Sequence, residues 1–225
     1  KPYVAAAGGP IPKEWSLSLA DLGQQIMRQY PAIYGLEGLQ EEDWQNARNS
    51  WAQAVVGIKN MSMIFYTGEN DDPLYSNVFG VFEVEDSENY LQAYRESVVA
   101  WNQLFESSSS DLKFKYKVKQ ATVGDYQGLL LEADLMGMMG PNDATGVMKS
   151  IMEMMFGEGG LIKTYAIAID STRVVFGLAP EARMQAFIEK VVAGETGLAD
   201  SEQANVALAM LDPEAPWQAL PSPRG

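Results

Sequence analysis

The chain of 225 residues contains no cysteine and no histidine. The first absence excludes disulfides, a thiol nucleophile and an iron–sulfur cluster. Together the two absences exclude a structural zinc site built on thiolates or imidazoles. They also exclude a Ser-His-Asp triad, and they remove the usual acid–base group near neutral pH. Any catalysis falls to carboxylates, lysine, tyrosine or a bound hard cation, and no cofactor is expected. Positive charge is scarce as well: 16 Lys and Arg stand against 30 Asp and Glu, a net charge of −14. That balance repels nucleic acid and anionic lipid, so no nucleic-acid partner is expected, and solubility is its plainest role. No apolar run approaches the roughly 18 residues that span a bilayer. The opening KPYVAAAGGP also lacks the apolar stretch of a signal peptide, and it reads as the internal start of a fragment or processed chain. Absent cysteine leaves the redox compartment open.

What is present is ordinary in amount, with 47% hydrophobic and 20% charged residues, and distinctive in order. The organising stretch is 77–106, NVFGVFEVEDSENYLQAYRESVVAWNQLFE. It reads as a buried strand, a cap at Asp86 or Ser87, and a long helix whose buried face is Leu91, Tyr94, Val98, Trp101 and Phe105. Upstream, residues 1–13 carry Gly8, Gly9, Pro10 and Pro12 and read as an extended lead-in. Ser18 and Asp21 form a variant capping box for a helix with Leu19, Leu22, Ile26 and Tyr30 on its apolar face, stopped by Pro31. Glu41, Glu42 and Asp43 then open a helix with the stripe Trp44, Ala47, Trp51, Ala54, Val55 and Ile58. Two tryptophans on one stripe are the material of a sugar platform, but at this spacing the pattern favours core.

Residues 61–66 and 78–84 have strand length and apolar character. Downstream, Phe114, Tyr116 and Val118 alternate with Lys113, Lys115, Lys117 and Lys119, and Gly124-Asp125-Tyr126 turns the chain into a strand at 127–135. Glycines and Pro141 bracket a Met-rich helix at about 142–156. Residues 162–170 and 173–178 form a hairpin, followed by a helix with Met184, Phe187, Ile188 and Val191 on one face. A last helix runs from Asp200 or Ser201 to Leu211, and a tail with four prolines follows. Short connections make most strand pairs antiparallel. The expected class is α+β: a mainly antiparallel sheet of about six strands, with helices packed on at least one face. No linker divides the chain. It reads as one domain over 1–225, with the lead-in at 1–13, N-terminal helices at 14–60, sheet and covering helices at 61–211 and a Pro-rich tail at 212–225.

The order of a hydrophobic strand, a VEDSENYLQAY-type acidic helix start, two alternating strands, RVVFGLAPEARMQAFIEKVVAG and then GLADSEQANVAL resembles a family of uncharacterised exported bacterial proteins. The resemblance covers roughly residues 60–211. It implies a periplasmic or extracellular setting and no particular chemistry. The Met-rich insertion at 136–156 departs from the pattern.

Four groups of residues are candidate sites. Lys113, Lys115, Lys117 and Lys119 share one strand face, which suits an anion or the acidic face of a partner; the plainer role is to guard an edge strand. Glu69, Asp71 and Asp72, with Asn70, supply oxygens for weak calcium binding, although EF-hand spacing is absent. Otherwise they are a solvated acidic loop, and no tightly bound metal is expected. Glu132 and Asp134, like Glu83 and Glu85, share a strand face. Glycoside hydrolysis needs opposed carboxylates, so these pairs read as surface charge. Met136, Met138, Met139, Met148, Met152 and Met155, with Met154, hold seven of the twelve methionines. Methionine adapts to irregular apolar partners, so these residues are candidates to bind an apolar ligand or peptide, with core filler as the alternative. The first expectation is a non-enzymatic binding or assembly module of a bacterial exported or envelope protein, whose partner is an unidentified protein or small apolar ligand. The alternatives are a carrier of an apolar ligand or peptide on segment 136–156, and a histidine-free hydrolase using carboxylates or a Ser/Lys pair.

Overall fold

In the computed structural model the chain is described at residues 3–66, 72–73, 75–110, 115–134, 147–157, 161–194 and 218–221. The strands are β1 (Tyr3–Pro10), β2 (Ile58–Tyr66), β3 (Val78–Val84), β4 (Tyr116–Val123), β5 (Tyr126–Asp134), β6 (Leu161–Ala168), β7 (Arg173–Leu178) and β8 (Gln218–Pro221). The helices are α1 (Lys13–Gln29), α2 (Pro31–Tyr34), α3 (Glu41–Val56), α4 (Ser87–Ser107), α5 (Val147–Phe156) and α6 (Glu181–Val192). The class is α+β. All eight of these strands join one sheet in the order β4-β5-β6-β7-β3-β2-β1-β8. Every neighbouring pair is antiparallel.

This is two strands more than the sequence pattern predicts. The lead-in pairs with β2 as β1, and four residues of the Pro-rich tail pair with β1 as β8. Small residues allow the first pairing: a Cβ at Gly8 would lie 3.0 Å from the Met61 carbonyl oxygen. The expected last helix at 200–211 lies outside the described residues, as do 142–146 of the Met-rich helix.

Strand parity sends alternate side chains to two faces, and a helix covers each. On one face Phe79, Tyr165, Ile167 and Val175 pack with Met184, Ile188 and Val191 of α6. On the other, Val84, Leu129, Leu131, Ala166 and Val174 pack with Tyr90 and Val98 of α4. The strand order explains why α4 is long. It connects β3 to β4, which are separated in the sheet by β7, β6 and β5. Four strand spacings of about 4.8 Å make about 19 Å, and 21 residues at about 1.5 Å each make about 31 Å. Asp86 caps the helix as expected, accepting a hydrogen bond from the Asn89 amide at 2.8 Å. Near the other end, Asn102 exchanges two 2.8 Å hydrogen bonds with the Tyr116 backbone and fixes the start of edge strand β4. Burial beneath α4, with Tyr116 nearby, pushes the Tyr94 phenol up to about 12.

A third cluster lies beyond the sheet. Leu36, Trp44 and Ala47 pack on Leu104 and Phe105 of α4, with Met27 and Trp101 against them. Trp101 therefore belongs to the helical layer, where the helix spacing predicts contact with the sheet. α1 begins at Lys13 with Pro12 at its N-cap, so Ser18 lies inside the helix and caps nothing. The apolar face expected of α1 is also turned outward, with Leu22 and Ile26 exposed.

Candidate functional site: a tryptophan-lined pocket

The helical layer is held by polar contacts around an incompletely filled centre. Between α1 and α3, Arg48 Nε donates to Asp21 Oδ1 at 2.6 Å and Gln24 Nε2 donates to the Trp44 carbonyl at 2.7 Å. At one end Arg28 makes a bidentate pair with Glu41, at 2.7 and 3.0 Å, and its guanidinium lies 5.2 Å from the Trp44 ring centroid. These contacts set the carboxylates. The Arg48 hydrogen bond holds the Asp21 carboxyl below its ordinary value, and the Arg28 and Gln45 hydrogen bonds do the same for Glu41.

The centre is a pocket of about 210 Å³ whose walls include Gly23, Gln24, Trp44, Arg48, Trp51 and Trp101. Trp44 is buried, Trp101 half-buried and Trp51 exposed at its edge. None of the three indole N–H groups donates a hydrogen bond among the described residues, and neither do the two terminal nitrogens of Arg48. Indole and guanidinium nitrogens donate and do not accept. The lining is mainly apolar, and the one full charge among the six named residues is balanced by Asp21. Such a pocket can hold a compact apolar body; it presents no acid–base pair.

Sequence spacing puts Trp44 and Trp51 on one stripe and favours core for both. Trp44 is core, but Trp51 is not. The signal that spacing alone passes over is Gly23. It sits in the interior of α1 without positive φ, and a Cβ placed there would meet nothing within 4 Å. Neither backbone geometry nor close packing requires glycine at this position.

The candidate residues named from sequence fall elsewhere. Lys113 lies outside the described residues; Lys115, Lys117 and Lys119 are exposed. Glu132 stands opposite Lys117 on β4 and Lys163 on β6, and it accepts a short hydrogen bond from Lys119. Lys115 pairs with Glu106 at 3.1 Å. The basic face therefore carries its own counter-charges, and the Lys119 hydrogen bond, chiefly, lowers the Glu132 pKa. Glu83 accepts from Asn60 at 3.0 Å. Of the loop carboxylates, Glu69 and Asp71 lie outside the described residues, and Asp72 accepts from Arg183 at 2.8 Å. Met136, Met138 and Met139 lie outside the described residues too. Met148 and Met152 are on α5, Met155 is half-buried, and Met154 is 64% exposed. No group of three acidic residues that could hold a metal ion occurs among the described residues. No described helix is long and apolar enough to cross a membrane.

No protein-family model matches the chain, and no curated protein and no solved structure matches it. Geometry therefore carries the functional argument.

Proposed function

We propose that this chain is a non-enzymatic binding module of a bacterial exported or envelope protein, and that the tryptophan-lined pocket is where it binds. The observation that carries the reading is Gly23. Glycine inside a helix costs about 1 kcal/mol relative to alanine. The chain accepts that cost at a position where a side chain would fit, and the effect is to keep the pocket open. Residues that give up stability without a packing reason are the ones expected at functional sites. The exported setting rests on the resemblance of residues 60–211 described above.

The carrier reading is favoured over assembly through a broad surface. An apolar cavity of about 150 Å³ holds benzene. A pocket of about 210 Å³ suits a ring-sized molecule or one large side chain, not a peptide helix. This moves the apolar-ligand site from segment 136–156 to the α1–α3–α4 layer. A hydrolase reading gains no support from any described feature.

A fragment screen on the wild type and on Gly23→Leu tests the proposal. Ring-sized apolar fragments are expected to bind the wild type and to lose binding when leucine occupies the pocket. Equal binding to both, or none to either, would sink it.

A further inference from the structure

We infer that the outward face of α1 is an interface with a second copy of this chain. The inference is independent of the pocket reading. Trp15, Leu22, Ile26 and Tyr30 are 50, 52, 42 and 49% exposed, and their helical spacing sets them on one stripe about 22 Å long. Among the described residues, every exposed side chain from Trp15 to Tyr30 is uncharged, with Ser18, Gln25 and Gln29 beside the stripe. The charged residues in that span, Asp21 and Arg28, are held by Arg48 and Glu41 of α3. A chain of net charge −14 therefore has a helix face without charge. That property selects the occupant. In a two-fold contact the same patch meets itself, so any charge near the axis meets its like. An uncharged face avoids this, and the glutamine amides, which both donate and accept, can pair with their own kind. A basic partner finds no carboxylate on the face. Helices that lie on membranes carry Lys and Arg beside their apolar side, and α1 offers only Lys13, since Glu41 engages Arg28. Antiparallel pairing about a two-fold at Leu22 sets Trp15 of each copy beside Tyr30 of the other and Leu22 against its symmetry mate; it also aligns the helix dipoles favourably. The four half-exposed side chains present on the order of 350 Å² of apolar surface, the size of patch that marks interaction sites. Each partner in a stable complex buries roughly 800 Å², so this dimer is reversible and forms at high concentration.

Sedimentation of the whole chain from micromolar to millimolar concentration tests this. The wild type should show a reversible monomer–dimer equilibrium. Leu22→Gln and Ile26→Gln should each weaken it by about tenfold or more, with unchanged circular dichroism because both side chains are exposed. The chain has no cysteine, so an introduced thiol reports its own surroundings. Under mild oxidation Leu22→Cys should cross-link two copies, and Val192→Cys, at an exposed position of α6, should not. Trp15→Cys and Tyr30→Cys should cross-link when mixed and not separately. A wild type that stays monomeric throughout would overturn the inference. So would a dimer that both glutamine variants leave intact, or equal cross-linking at Val192. Self-cross-linking of Trp15→Cys would overturn the antiparallel register. Binding to phosphatidylcholine vesicles without any dimer in solution would assign the face to a lipid surface and overturn the second copy.

Discussion

The two sides of α4 meet different neighbours, a sheet core on one side and a helical layer with a pocket on the other. Toward the sheet, Tyr90 and Val98 close on β-branched and leucine side chains in a buried core. Toward α3, Leu104 and Phe105 are buried, but Trp101 beside them borders open space. Glycine serves opposite ends in the two regions. In the sheet it permits contact: a Cβ at Gly128 would lie 2.1 Å from the Ala166 carbonyl oxygen, and one at Gly177 would lie 2.1 Å from Met184 Sδ. In α1, Gly23 withholds contact. A region packed to its limit cannot host a ligand, and a region with a vacancy in a well-formed wall can.

The largest effects should therefore come from the sheet. Gly128→Ala forces a methyl group into the backbone of β6 and should cost about 3 kcal/mol or more, at the upper end for overpacking. A urea midpoint near the wild-type value would show that the close approach is absent. Ile188→Ala on α6, where the side chain is 1% exposed, should cost about 2–5 kcal/mol by leaving a cavity. A loss below about 1 kcal/mol would mean that this face is as loose as the helical layer and would erase the contrast.

The helical layer should respond in the other direction. Gly23→Ala should stabilise the protein by about 1 kcal/mol, because it improves helix propensity and meets no neighbour. Destabilisation in a denaturant titration would reveal a packing constraint at Gly23. Smallest is a pH effect at the sheet surface. The folded pKa of Glu132 is depressed, mainly by the Lys119 hydrogen bond. Its contribution is therefore complete above the ordinary glutamate range of about 4.3 and disappears as pH falls through the lowered folded value. Glu132→Gln should accordingly be less stable than wild type at neutral pH and match it in strong acid. A difference that persists in acid would assign the loss to packing.

Much of the sheet was legible because period-2 alternation and turn residues act locally. Strands at 78–84 and 173–178 match the expected bounds, and Asp86 caps α4 as its position implies. β1 and β8 were not legible, since AAAGGP and QALP carry little strand propensity. Their pairing rests on close backbone approach, a property of the partner strand as much as of themselves. α1 misled for a related reason. Its large apolar residues form the expected stripe, but α3 packs instead on the side that carries Ala20, Gly23 and Met27. The pocket was hidden because periodicity tells which residues share a face, not whether the facing element fills the space between them. Gly23 was the one sequence cue: a helix-weakening residue between Leu22 and Gln24 without a turn to explain it.

On the reading proposed above, ligand binds in the helical layer between α1, α3 and α4 and not in the sheet core. Two-dimensional NMR of the indole N–H resonances, recorded with a saturating ring-sized apolar fragment, is the direct test. The resonances of Trp44, Trp51 and Trp101 are expected to shift together, while Trp15, which is exposed and does not line the pocket, stays in place. Unmoved pocket indoles, or a shift of Trp15 as large as theirs, would contradict the account.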